Sequence, residues 1–346
     1  MTAESASPIV GRAARRPFDP THALSAAIFV VLCVLMAVSL LAGRIWLNPA
    51  DVLDGLLSSR SQLSSLIVTE LRLPRTVLAV LVGATLGLSG AVLQGLTRNP
   101  LAEPGLLGVT SGASFGAVIA IYFNLSQISP AAIPAFGLLG ALGAIALTFM
   151  LGRGGGTLSL VLAGAAVNTF GAALIALALN LAPGVDAAYE IMTWLMGSLA
   201  NRSWDHITLA APLIFAGSAV LALSGRALDA LTLGEAQAES LGVNLQRLHV
   251  MALAGTAMAV GAATSVTGAV GFIGLVAPHL IRPFAGYQPS RILLPSALAG
   301  AVLLLGADIT TRLISIGPEM KLGVLTALLG TPFFFWLVVR LRRTSP

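Results

Sequence analysis

Four histidines, one cysteine, one lysine and one membrane-buried carboxylate are the residues from which chemistry could be built here, and their spacing brings little of it together. His279 follows Pro278 and precedes Arg282, with no second histidine, cysteine or carboxylate at ligand spacing. It reads as a hydrogen-bonded helix-end residue and not as a metal ligand. His22, His206 and His249 also stand singly at the ends of apolar segments. Cys33 lies within the first apolar run, which leaves neither a disulfide framework nor a thiolate site. Lys321 has no Gly-x-x-x-x-Gly-Lys-Ser/Thr loop around it, so the chain cannot cradle ATP phosphates in that manner. No nucleophile, base and orienting group recur together. Only Asp308 lies well inside an apolar segment, with Arg312 one helical turn on, a pair that partly neutralises itself. One such pair is thin support for a proton relay, which makes an ion-coupled secondary transporter the weaker reading.

The elements that must hold these residues are membrane spans. At 56% hydrophobic and 10% charged residues, the 346-residue chain cannot present an ordinary soluble surface. Roughly 20 apolar residues cross a bilayer as a helix, so there is room for about ten spans and no separate soluble domain. The expected spans are 24–43, 75–96, 106–123, 131–151, 157–181, 207–224, 248–266, 268–281, 293–312 and 322–339. Residues 24–340 then form one transmembrane domain, with a segment 1–23 before it and a tail 341–346 after it. Gly and Ala recur inside the spans, as in Gly83-Ala84, Gly87, Gly90-Ala91 and Gly261-Ala262-Ala263, which lets helix backbones approach closely in lipid.

An even number of spans puts both termini on one side, and the basic residues say which. One side collects Arg12, Arg15, Arg16, Arg98, Arg153, Arg226, Arg247, Arg282, Arg291, Arg340, Arg342 and Arg343. The other has Arg44, Arg60, Arg72, Arg75, Arg202, Arg312 and Lys321. Twelve against seven places both termini in the cytoplasm. The formal charge of +5 comes from this punctuation, with no long basic run of the kind that binds nucleic acid.

Four stretches carry more proline, glycine and polar detail than plain lipid-facing helix. Arg72-Leu73-Pro74-Arg75 precedes the second span on the outer side and places cations where a helix start does not favour them. Gln94 to Gly105, with two prolines and two glycines among its last eleven residues, makes a tight turn on the cytoplasmic side. The loop 226–247 is the longest cytoplasmic connection, and its segment Gly234 to Gly242 suits a short glycine-bounded helix. Gly271 to Arg282 ends the eighth expected span.

With Gly317 to Phe334, these stretches resemble the permease family of binding-protein-dependent ABC importers for iron siderophores, haem and vitamin B12. The resemblance runs from about residue 70 to the C-terminus and departs at Lys321, where the family often has proline. It implies an all-α integral membrane fold of about ten helices, the type II ABC importer permease architecture, in the bacterial inner membrane. It further implies a second permease subunit, expected as a homodimer, two cytoplasmic ATPases that bind ATP and Mg, and a periplasmic substrate-binding protein. This chain itself would need no cofactor and would be no enzyme. The family's docking arginines fall on Arg72, Arg75 and Arg312. Its coupling helix falls on Gly234, Glu235, Ala236, Glu239, Ser240, Leu241 and Gly242. Its cytoplasmic gate falls on Asn99, Leu101, Thr157 and Ser159. The expected cargo is an iron chelate, haem or a ferric siderophore, with cobalamin as the alternative. Charge reversal at Arg72 and Arg75 is expected to weaken binding-protein docking in a salt-sensitive way, measured as affinity at two ionic strengths.

Overall fold

A computed structural model describes residues 20–43, 45–57, 62–315 and 317–344. Arg12, Arg15, Arg16, Arg44, Arg60 and the side chains of Arg342 and Arg343, used in the charge count, lie outside the described residues. So do most of the segment 1–23 and the side chains of the tail 341–346.

The described chain is helical. In order it forms α1 (Pro20–Leu41), α2 (Pro49–Leu57), α3 (Gln62–Leu66), a π-turn (Ile67–Arg72) and α4 (Leu73–Thr97). Then follow α5 (Val109–Tyr122), α6 (Ala132–Gly152), α7 (Gly156–Asn180), α8 (Val185–Leu195) and α9 (Trp204–Ala222). The rest are α10 (Gly225–Leu231), α11 (Glu235–Ser240), α12 (Leu245–Thr267), α13 (Ile273–Ile281), α14 (Pro289–Ile314) and α15 (Leu322–Thr344). Eight helices among the described residues are long and apolar enough to cross a membrane.

The third and eighth expected spans are shorter than the apolar pattern suggested. Helix α5 has 14 residues, about 21 Å of helix against about 30 Å of hydrocarbon. Helix α13 has only nine residues. It is preceded by the non-helical run 268–272, in which Gly268 at φ 75° and Phe272 at φ 68° leave the helical region. A hydropathy pattern counts apolar residues and is blind to a backbone broken by left-handed positions. Such backbone is tolerated at membrane depth when protein surrounds it.

The second expected span begins earlier than expected. Leu63–Thr97 is one continuous helical run of 35 residues, so Arg72 and Arg75 sit within a helix and not at its start. The π-turn follows from Pro74. The Leu73 N–H bonds the Val68 carbonyl, five residues back, and the same pattern would send residue 74 to Thr69. Proline has no N–H to send. The Trp204 indole Nε1 donates to the Thr69 carbonyl instead, at 2.9 Å, so the first residue of α9 closes a gap in α4's ladder.

Helices α4 and α12 are the centre of the bundle, each with 78% of its apolar window buried, against 28% for α6, α7, α9 and α15. Small residues set the central contacts. A methyl group on Gly87 would overlap the Ser296 carbonyl of α14, and one on Gly90 would overlap the Gly274 carbonyl of α13. Lipid offers no hydrophobic drive between helices, so such close backbone packing must supply the cohesion. Gly87→Val is expected to prevent α4 and α14 from closing and to lower the melting temperature in detergent sharply. Gly306→Ala, with open space around its Cβ, should leave the melting temperature unchanged or slightly raised.

Candidate functional site

Three polar clusters interrupt the apolar bundle. The first lies at the outer end, on the orientation given by the basic residues, and joins α1, α4 and α14. Asp308 is fully buried and receives two arginines. Arg75 donates to it from Nε at 3.0 Å and Nη2 at 2.7 Å. Arg312, on the same helix face one turn away, donates from Nε at 2.9 Å and also from Nη2. Glu319, in the turn before α15, takes the other edge of Arg75. Arg312 continues to the Ser39 carbonyl and hydroxyl of α1, both at 3.0 Å, and Ser39 in turn meets the Thr76 hydroxyl at 2.6 Å.

Arg72 serves the same end of α1. Its Nη1 donates to the Leu40 and Leu41 carbonyls at 2.7 and 2.8 Å, and its Nη2 to the Ile45 carbonyl at 2.7 Å. The last carbonyls of a helix have no intrahelical partner, and a guanidinium fork satisfies several at once. The three arginines singled out by the sequence are thus brought to one end of the molecule, but their donors face inward. Arg312 is buried, at 8% exposure. Arg75 has its outer edge on Glu319, whose side chain is 28% exposed. The reach of Arg75 to Asp308 across 233 positions was not legible from spacing, which showed only the local Asp308 and Arg312 pair.

The second cluster is cytoplasmic and consists of two short helices with separate anchors. In α10, Asp229 accepts from the Ser290 N–H at 2.8 Å, the Ser290 hydroxyl at 2.6 Å and Gln288 at 2.8 Å, holding the first turn of α14. Helix α11 is bounded by Gly234 at φ 112° and Gly242 at φ 87°, as the glycine spacing indicated. Its first residue, Glu235, accepts the Thr157 hydroxyl at 2.6 Å, and the same hydroxyl lies 3.1 Å from His249 Nε2 on α12. The hydrogen bond from Thr157 holds the Glu235 carboxyl below its usual range, against a smaller opposing effect of burial. That contact is therefore present above the ordinary carboxylate range and is lost only as pH falls through the lowered value. Glu239 and Ser240 are exposed, as are Ala236, Leu233 and Leu241, the leucines at 62% and 65%. The tie between Glu235, Thr157 and His249 was not visible in the sequence, where His249 read as an isolated helix-end residue.

The third cluster follows α4. Arg98 turns the chain at φ 50°, and the Asn99 Oδ1 accepts the Leu101 N–H at 2.9 Å. A 3₁₀ turn, Pro104–Leu107, then leads into α5. Asn99 is exposed and Leu101 partly buried, while Thr157 and Ser159 occupy the first turn of α7. No hydrogen bond joins Asn99 or Leu101 to Thr157 or Ser159 among the described residues. Glu103, which the sequence did not single out, accepts the Phe272 N–H at 3.3 Å and so ties this turn to the entrance of α13. Among the described residues no group of three or more His, Cys, Asp or Glu could hold a metal.

The FecCD transport family model matches residues 30–340. The chain belongs to the FecCD transport family. The vitamin B12 import system permease protein BtuC of Vibrio cholerae serotype O1 is 40% identical over 319 residues, covering 90% of this chain and 92% of the relative. The protein of the same name from Salmonella typhimurium is 39% identical over 329 residues, covering 92% and 95%. A chain solved in an inward-facing conformation and described as of metal-chelate ABC transporter type superposes with a TM-score of 0.83 at 30% identity. It covers 92% of this chain and 99% of that one. This FecCD chain is accordingly a multi-pass inner-membrane permease subunit of an ABC importer in bacteria, with ATP hydrolysis on a separate subunit. The expectation of about ten helical membrane segments holds, with two of them short.

The buried carboxylate gives the sharpest test of the outer cluster. Asp308→Ala would leave Arg75 and Arg312 facing each other without their shared anion, and breaking a buried ion pair from one side costs about 3–5 kcal/mol. A large drop in thermal stability in detergent is the expected result, read by a fluorescence melting curve, with little rescue by salt.

Proposed function

We propose that this FecCD permease carries vitamin B12 or a closely related corrinoid from periplasm to cytoplasm. The observation that supports this reading is the BtuC likeness, 38–40% identity over nine-tenths of the chain in several relatives. It reverses the order expected from the sequence, in which an iron chelate came first. The iron-chelate reading keeps one support, the metal-chelate type of the solved neighbour. In the proposed assembly residues 24–340 form one permease domain. Two copies enclose the pathway, each rests on a cytoplasmic ATPase that binds ATP and Mg, and a periplasmic binding protein delivers the ligand. The segment 1–23 and the tail 341–346 face the cytoplasm.

The clusters take natural roles in such a machine. Helices α10 and α11 form the coupling region, and the exposed Leu233 and Leu241 offer apolar contact to the ATPase. Motion of α11 reaches α7 through Glu235 and Thr157 and reaches the gate at Thr157, Ser159, Asn99 and Leu101. At the outer face, Arg72 and Arg75 meet acidic groups of the binding protein, Arg75 by exchanging Glu319 for a partner carboxylate. Arg312 supports them from beneath by holding Asp308. Charge reversal at Arg75 would also break the Asp308 pair and at Arg72 the carbonyl contacts at the end of α1, so each docking variant is read beside its melting curve.

Reconstitution with its ATPase and binding protein in liposomes tests the substrate. ATP-dependent uptake of cyanocobalamin, in parallel with haem and a ferric siderophore, is expected for cyanocobalamin alone. Uptake confined to the ferric siderophore or haem would return the iron-chelate reading, and uptake indifferent to ATP would overturn the importer. In the same liposomes Thr157→Val, whose side chain cannot donate to Glu235, should lower ligand transported per ATP several-fold while assembly persists. That loss should be constant between pH 6 and 8, because Glu235 stays ionised throughout.

A further inference from the structure

Hydroxyl groups inside membrane helices usually donate to the carbonyl one turn back, which removes the cost of burying them. Thr76, Thr85, Ser89, Thr97, Thr169, Thr267 and Thr310 all do so here, at 2.8 to 2.9 Å. Thr110 and Ser114, one turn apart on α5, do not, and neither has a protein partner among the described residues. Ser114 is only 3% exposed. Both line a cavity of about 240 Å³, as does Asn168 of α7, whose amide is equally unpartnered. Glu103 completes the polar wall.

The cavity sits beside Leu86, the middle of α4, and is bordered by the break at 270–272 from which α13 starts. Its charge is balanced locally. The entrance of α13 presents a positive dipole end; the Glu103 carboxyl meets it through the Phe272 N–H, and the Ile273 N–H is taken by the Gly271 carbonyl. What remains for a ligand is a set of uncharged donors and acceptors: two hydroxyls and one carboxamide. Burial pushes the Glu103 carboxyl above its usual range, and a second carboxyl brought here would meet the same desolvation cost. Asn168 is partly exposed and reaches the cavity from α7.

We infer that this cavity is a polar binding station at membrane depth for the uncharged carboxamide groups of the transported ligand. The inference rests on the corrinoid reading, since a corrin ring carries such amides around its edge, and it makes Thr110, Ser114 and Asn168 ligand contacts. Glu103 holds the edge of the station against the start of α13 through the Phe272 N–H.

Two measurements test it in the reconstituted complex with its ATPase and binding protein. The double variant Ser114→Ala, Asn168→Leu should lower cyanocobalamin uptake about tenfold through two lost hydrogen bonds, with assembly checked by gel filtration. Separately, Ser114→Cys in a Cys33→Ser background should react with a small water-soluble thiosulfonate, and saturating cyanocobalamin during turnover should slow that reaction several-fold. Wild-type uptake of cyanocobalamin with an unmoved double variant, or labelling of the cysteine that cyanocobalamin does not slow, overturns the station and leaves the corrinoid reading standing. Wild-type uptake of a ferric chelate without cyanocobalamin removes both.

Discussion

Helix α4 can hold the bundle together only because glycines stand where it meets α13 and α14. Gly83, Gly87 and Gly90 bring its backbone against the backbones of α14 and α13, and any Cβ at those positions would overlap a carbonyl. In lipid the gain comes from dispersion between surfaces in contact, which falls off steeply with a small gap. The polar clusters inherit their geometry from this contact. With α4 and α14 at another separation Arg75 would not meet Asp308, and with α4 and α13 at another separation Gln94 would not reach the carbonyl of Leu275, where its Nε2 lies at 3.2 Å.

The same close packing explains where polar groups are allowed. Two buried acidic side chains are met from a different helix: Asp308 of α14 by Arg75 of α4, and Glu103 by the backbone at the start of α13. Burying a charge is costly unless it is paired and hydrogen-bonded. The break before α13 carries its own compensation in that sense, since an N–H left over by the non-helical run meets the Glu103 carboxylate. The cytoplasmic helices α10 and α11 follow a different rule. They bury Leu228, Leu231 and Ala238 in the core and add one acidic residue each, Asp229 on the start of α14 and Glu235 on the start of α7.

Much of this was legible in the residues and some was not. Apolar runs separated by arginines give the spans because lipid selects on composition over twenty residues. Glycines at 234 and 242 bound α11 because left-handed backbone favours glycine. The nine-residue α13 escaped, since Phe272 at a positive φ carries no compositional signal. The early start of the second span escaped too, because Pro74 reads as a helix boundary and a π-turn closed by Trp204 is a tertiary event. The arginines at 72, 75 and 312 were visible as unusual, yet their partners lie up to 273 positions away, beyond the reach of spacing. Thr157 and Glu235 were both marked as residues of interest, but their contact was not.

The end of α1 bears on how such a chain is made. Its last carbonyls and Ser39 are served by Arg72 and Arg312, which the ribosome delivers in that order and far apart in time. Until α4 is threaded, the outer end of α1 has only water and headgroups for partners; until α14 follows, half of its final partners are missing. Helix α1 is therefore fully locked only once α14, some 270 positions further on, is in place.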